Sequence, residues 1–230
     1  MMKPDKLCSI DLEGTLLKDR RLYLDLHSFF GISSQTNSKY YNKYLNDKNY
    51  TFQDWIDTIN KSWRDSKKEL TYERYIDILR TNFTPRHGSR QFLDKLRDLG
   101  FITQLVSGTP NDFCDMAKEY YDFDYVAGSD NMIFKDNKWC NLIHGKYFFD
   151  NKAKAMEELC ARLSISAKYT IAVGDSDNDI EMLRRAGAGF LIHASPRANS
   201  MIIRKDCKDS IIPVNKFSDI ITHIENNGFR

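Results

Sequence analysis

The sequence predicts an α/β protein: a Rossmann-like, mainly parallel sheet with helices on both faces, interrupted by an inserted helical cap. Three observations carry this expectation. Short apolar runs alternate with segments of helical periodicity over most of the chain. Residues 21–83 break that alternation and hold only helical patterns. Three of the expected strands end in polar residues, at the edge where parallel sheets hold ligands.

Residues 7–10, 101–106, 169–173 and 190–192 are short, apolar and bounded by turn signals, as buried strands are. After the first strand comes the helical stretch. Thr51 with Asp54 spells a capping box, and Phe52, Trp55, Ile56, Ile59 and Trp63 then fall on one face. Tyr72, Tyr75, Ile76 and Leu79 line a further helix, and these aromatics read as packing. Phe92, Leu93, Leu96 and Leu99 repeat at helical spacing up to a stop at Gly100. Phe113, Met116, Ala117 and Tyr120 form another such face, and Ala153, Met156, Leu159 and Leu163 a third. A smaller insert at about 129–149, with Lys135-Asp136-Asn137-Lys138 between apolar runs, suggests a β-hairpin. The expected division is therefore a core of residues 1–20 and 84–230 carrying that hairpin, and a helical cap of residues 21–83.

Composition narrows the function classes. In 230 residues, 41% hydrophobic and 29% charged content supports a packed core and excludes wholesale disorder. With 34 basic against 32 acidic residues the net charge is +2, which gives no footprint for nucleic acid. No apolar run approaches the roughly 20 residues of a membrane helix, and the amino terminus does not read as a signal peptide. The five cysteines are scattered and the five histidines lack metal-site spacing, so neither a disulfide framework nor a zinc site is expected. A cytoplasmic protein is the expectation.

The strand ends carry the chemistry. The first runs into Asp11-Leu12-Glu13-Gly14-Thr15, the second into Ser107-Gly108-Thr109-Pro110, and a later one into Gly174-Asp175-Ser176-Asp177-Asn178-Asp179. If these edges meet, Asp11, Glu13, Asp175 and Asp179 crowd negative charge that must be neutralised. Oxygen donors of this kind suit Mg²⁺. Ser107, with the backbone N–H groups of Gly108 and Thr109 at a helix start, forms a natural anion site. Lys152 opens a helix, where the dipole disfavours a cation unless something nearby needs its charge.

Together these motifs resemble those of the haloacid dehalogenase superfamily of aspartate-nucleophile phosphohydrolases, in its phosphoserine-phosphatase-like branch. Asp11-Leu12-Glu13-Gly14-Thr15 is similar to the first family motif and Leu105-Val106-Ser107-Gly108 to the second. Lys152, with Met156 and Leu159 following, is similar to the third, and Gly174-Asp175 with Asn178-Asp179 to the fourth. Thr84-Pro85-Arg86-His87-Gly88 resembles the segment that leads out of a helical cap. The resemblance implies a Mg²⁺-dependent phosphatase acting on a small phosphorylated metabolite. Asp11 would be the nucleophile and Glu13 the general acid and base. Ser107 and Lys152 would hold the phosphoryl oxygens. The metal would sit among Asp11, Asp175, Asp179 and the Glu13 carbonyl, with Asn178 toward the substrate.

Two features depart from the family pattern. The second acid of the first motif is Glu13 where an aspartate is usual. Arg20 stands nine residues after the nucleophile, where phosphoserine phosphatases carry a glutamate that binds the substrate amine. A basic residue there implies an acidic or neutral substrate rather than phosphoserine. Two other classes are weighed: a phosphotransferase passing the group to an acceptor alcohol, and a non-catalytic receiver-type module. The position of Asp11 after the first strand, and the intervening cap, disfavour the receiver.

Overall fold

The computed structural model describes residues 6–19, 21–146, 151–204 and 211–227. In chain order the strands are β1 (Lys6–Ile10), β2 (Phe101–Val106) and β3 (Tyr125–Ala127), an antiparallel pair β4 (Asp130–Lys135) and β5 (Lys138–His144), then β6 (Thr170–Gly174), β7 (Ala188–Ile192) and β8 (Ile211–Val214). Six of them form one sheet in the order β3-β2-β1-β6-β7-β8, every pairing parallel. The chain builds outward from β1 on one side and returns to build outward on the other. β1 and β6 therefore flank a topological switch point, the usual ligand crevice of such sheets. Register places Ile10 beside both Leu105 and Val173, so β1, β2 and β6 end at one level.

Strand alternation divides the core between two faces. Leu7, Val106, Ala172, Leu191 and Ile211 pack on α7 (Lys152–Leu163), α8 (Ile180–Arg185) and α9 (Pro196–Arg204). On the other face lie α5 (Ser89–Asp98), α6 (Asn111–Tyr121) and α10 (Phe217–Asn226). There Phe92 stacks on Phe217 with ring centroids 4.9 Å apart, and Phe190 meets His223 edge-on at 5.2 Å.

Two sheet members are absent from the sequence reading. β3 is only three residues long, too short for alternation to register. β8 contains Pro213, which an edge strand tolerates because one side of its backbone needs no donor. Pro110 precedes α6 as its cap.

The chain groups into two compact units. The first is Met1–Asp19, Thr84–Ser129 and Lys146–Arg230, and the second is Arg20–Phe83 with Asp130–Gly145. The hairpin β4–β5 thus groups with the helical insert, not with the core as its sequence position suggested. Backbone hydrogen bonds explain the difference. The Asn60 amide accepts from the Leu142 N–H at 2.7 Å and donates to the Leu142 carbonyl at 2.9 Å, and Trp139 N–H donates to Leu70 at 2.8 Å. The hairpin turn is Asp136-Asn137, both with positive φ, as a primed two-residue turn requires.

The helices of this unit are α1 (Leu22–Phe29), α2 (Ser34–Asn46), α3 (Phe52–Asp65) and α4 (Tyr72–Asn82). The expected capping box of Thr51 and Asp54 opens α3. Trp63 is fully buried, stacked on Phe30 at 4.7 Å and edge-on to Trp139 at 5.2 Å, so these aromatics are core. Among the described residues no helix is long and apolar enough to cross a membrane.

His27 sits inside this aromatic core and accepts a hydrogen bond from Trp63 Nε1 at 2.9 Å on its Nδ1. Burial lowers its pKa to about 4, with Asn37 opposing weakly. The folded state therefore binds fewer protons than the unfolded one between pH 4 and 6.5. Stability from this group is complete above the upper limit and lost as pH falls toward the lower, by up to about 3 kcal/mol. Urea denaturation across this window should show a smaller pH slope for His27→Gln than for the parent. Equal slopes would assign the acid sensitivity elsewhere.

Candidate active site

Alternation along β1 carries Asp11 to the same side as Leu7 and Ser9, toward α7. The first residue of α7 is Lys152, which is only 2% exposed. Its Nζ lies 2.5 Å from Asp11 Oδ1 and 2.7 Å from Asp179 Oδ1. This answers the question that a lysine at a helix start poses: two carboxylates outweigh the unfavourable dipole. Burial alone would lower the Lys152 pKa, but the charges of Asp11 and Asp179 overcome that and hold it above the usual lysine range. For Asp11 the balance runs the other way. Burial pushes its carboxyl above the ordinary range, against the pull of the Lys152 ammonium.

Thr15 completes the setting of the nucleophile candidate. Its hydroxyl donates to Asp11 Oδ2 at 3.0 Å and lies 3.4 Å from Asp175 Oδ1. Asp175 directly follows β6, across the switch point from Asp11. Asp179 is tied to the same loop: its Oδ2 accepts from the N–H groups of Asp175 at 3.1 Å and Ser176 at 2.9 Å, and from Ser176 Oγ at 2.8 Å. Gly174 makes this possible, since a Cβ there would sit 2.5 Å from the Asp179 carboxyl carbon.

Ser107 follows β2 at the same edge, 1% exposed, with its Oγ 2.9 Å from Thr109 Oγ1. Thr109 also meets Cys114 Sγ at 3.3 Å, so its side chain is turned into the protein, and its N–H donates to Ser107 Oγ at 3.3 Å. Gly108 faces open space. Glu13 is half-buried two residues past Asp11. The Cys114 thiol is raised to about 12, chiefly by burial. Asn178 points back into its own loop, accepting from Ser176 Oγ. Arg20 lies outside the described residues.

The donor chemistry fits a hard divalent cation. Asp11, Asp175 and Asp179 each offer a carboxylate oxygen, all within 4.8 Å of one another. Asp179 has a second task, since its two oxygens also hold Lys152 and the loop after β6 in place.

A switch-point carboxylate locked to a buried lysine, beside a Gly-Asp loop and a Ser-Gly anion site, is the layout of one enzyme class. The family model of the haloacid dehalogenase-like hydrolases matches residues 6–187, and the chain belongs to that family. Within that family its sequence is similar to phosphoserine phosphatases. It is 28% identical over 159 residues to a phosphoserine phosphatase of Methanocaldococcus jannaschii, covering 69% of this chain and 72% of that one. It is 29% identical over 126 residues to one of Haemophilus influenzae, covering 54% of this chain but only 40% of that longer protein. Among solved structures, a phospho-aspartyl intermediate analogue of a phosphoserine phosphatase superposes with a TM-score of 0.73 at 23% identity, covering 96% of this chain and 99% of that one. At that identity the likeness speaks for the fold.

Three contributors escaped the sequence reading. Thr15 stands inside a quoted motif but its four-residue spacing from Asp11 shows no role by itself. Ser176 and Arg86 also stand inside quoted segments, but the bonds of Ser176 to the Asp179 carboxylate and of Arg86 to backbone carbonyls appear only in the fold.

Proposed function

We propose that the protein hydrolyses a small phosphomonoester through an aspartyl-phosphate on Asp11, with Mg²⁺ as cofactor. The observation that carries this reading is the Asp11 carboxylate at the switch point, fixed by Lys152 on one oxygen and Thr15 on the other. Held this way, Asp11 can attack phosphorus without first being ordered. Lys152, Ser107 and the N–H groups after it neutralise the transferring phosphoryl oxygens. Glu13 protonates the leaving oxygen and then activates the water that releases phosphate. Mg²⁺, bound by Asp11, Asp175 and the Glu13 carbonyl, would supply positive charge beside those oxygens. Among the described residues, four cysteines are free thiols.

The relatives named above make phosphoserine the first substrate to try, whereas Arg20 argues for an acidic or neutral phosphometabolite. A phosphate-release screen over phospho-amino acids, sugar phosphates and nucleotides, with Mg²⁺ or excess chelator, decides between them. We expect Mg²⁺-dependent release, with phosphoserine a poor substrate that improves in Arg20→Ala. Full activity in chelator would remove the metal. Efficient phosphoserine hydrolysis, undiminished by that variant, would remove Arg20 from specificity. Release that requires an added alcohol would make the enzyme a phosphotransferase.

A further inference from the structure

We propose that Arg86 is a positioning residue for phosphoryl transfer: its guanidinium holds the backbone of residues 14–18 and thereby fixes Glu13 and Thr15 relative to Asp11. The inference deepens the proposed mechanism, because it rests on Glu13 as the general acid and base.

The loop after β1 reverses sharply. Gly14, at φ 88°, donates to the Leu17 carbonyl at 3.0 Å, and Leu17 N–H donates back to Leu12 at 2.9 Å. Between these bonds the carbonyls of five consecutive residues turn to one side. Arg86 collects most of them. Its side chain donates to Gly14 at 2.9 Å, Thr15 at 3.1 Å, Lys18 at 3.4 Å and Leu17 at 3.5 Å. Its own N–H donates to Leu16 at 2.8 Å. Leu16 also accepts from the Tyr121 hydroxyl at 3.1 Å, which is in turn 2.8 Å from Ser89 Oγ, and Ser89 Oγ donates to the Arg86 carbonyl at 2.7 Å. Lys18 N–H donates to Thr84 at 3.0 Å.

The pattern has a direct chemical meaning. Carbonyls gathered on one side repel each other and need donors, and the planar guanidinium meets them from two nitrogens, Nε on Thr15 and Nη2 on Gly14, with Leu17 and Lys18 at longer range from the same Nη2. A lysine ammonium is a single point with three donors and cannot span the same set. The two residues whose placement matters most, Glu13 and Thr15, flank Gly14, whose carbonyl takes the shortest side-chain contact. Thr15 is held at both ends, its hydroxyl on Asp11 and its carbonyl on Arg86. Releasing the clamp frees the loop that aims Glu13 while leaving Asp11, which is fixed by β1 and Lys152.

The test compares Arg86→Ala and Arg86→Lys with the parent on two substrates, p-nitrophenyl phosphate and an alkyl phosphomonoester. The aryl leaving group departs with little help from an acid, and the alkyl one needs it. We expect kcat on the alkyl ester to fall about 100-fold with little change in KM, whereas the aryl ester, which needs Glu13 only for the water step, should release one equivalent of p-nitrophenol in a burst before a slow phase. Millimolar guanidinium should restore part of the alkyl activity in Arg86→Ala and none in Arg86→Lys. Amide hydrogen exchange at Gly14 and Leu17 should accelerate in both variants ahead of the amides of β1. Losses on both substrates with no p-nitrophenol burst, in step with a lowered melting temperature and without guanidinium rescue, would make Arg86 merely structural and overturn the proposal. A parent inactive on both esters would instead indict the assigned reaction, and the hydrogen exchange would still decide whether the clamp exists.

Discussion

Asp11→Asn should abolish Mg²⁺-dependent turnover, by about 10⁴-fold or more, while the protein stays folded. The amide is nearly isosteric and keeps an acceptor for Lys152, but it is a poor nucleophile. Its nitrogen replaces an oxygen that accepted from Thr15, and a hydroxyl can turn to accept instead of donate. Lys152 keeps Asp179 at 2.7 Å, so its charge is not left alone. The carboxyl of Asp11 is also strained by burial, which offsets the lost ion pair, and the stability change should stay within about 2 kcal/mol. Single-turnover assays and calorimetry on the purified variant check both halves. Residual activity above a trace would exclude the aspartyl-phosphate route.

Lys152→Met should damage both activity and stability. The side chain is of similar length and apolar, so packing is preserved and charge is the variable. Without the ammonium, Asp11 and Asp179 face each other in a site where neither is more than 6% exposed at its side chain. Stranding buried carboxylates in this way costs about 3–5 kcal/mol. The phosphoryl oxygens lose a fixed positive charge as well, worth on the order of 10²–10³ in kcat. Mg²⁺ should raise the melting temperature of the variant more than that of the parent, because the metal then supplies the only nearby compensation. A variant as stable as the parent would mean that the two carboxylates do not need Lys152. Normal kcat would remove it from the reaction.

How far the sequence reaches can be traced residue by residue. Strands β1 and β2 and the face of α7 were legible because burial on both sides of a parallel sheet leaves an unbroken apolar run. Asp11, Lys152, Asp175 and Asp179, each anticipated separately, are the ones the fold brings within contact. What stayed hidden is what depends on backbone partners. Arg86 looks like any surface arginine until its carbonyls are visible. The hairpin insert read correctly as a hairpin, but which unit it joins is decided by Asn60, a polar residue inside a helix whose sequence context gives no hint of a β-strand partner. Thr109, whose N–H the sequence places at an anion site, turns its hydroxyl to Ser107 and Cys114 and its N–H to Ser107 Oγ.

The position of β1 also governs the order in which the molecule can be assembled. It is synthesised before the other strands of the sheet yet lies in its interior, so both its edges wait for strands made much later: β2 starts at Phe101 and β6 at Thr170. Until then β1 is an apolar ribbon with two open sides, the kind of segment that chaperones shield and that aggregates when they do not. Closing the long loop to β6 is entropically slow, and it is the step that brings Asp175 and Asp179 to Asp11. Catalytic competence therefore arrives late on the nascent chain, only after β6 has emerged. Partly made chains should be unable to consume phosphometabolites, and recovery of activity on refolding should trail the recovery of helical signal.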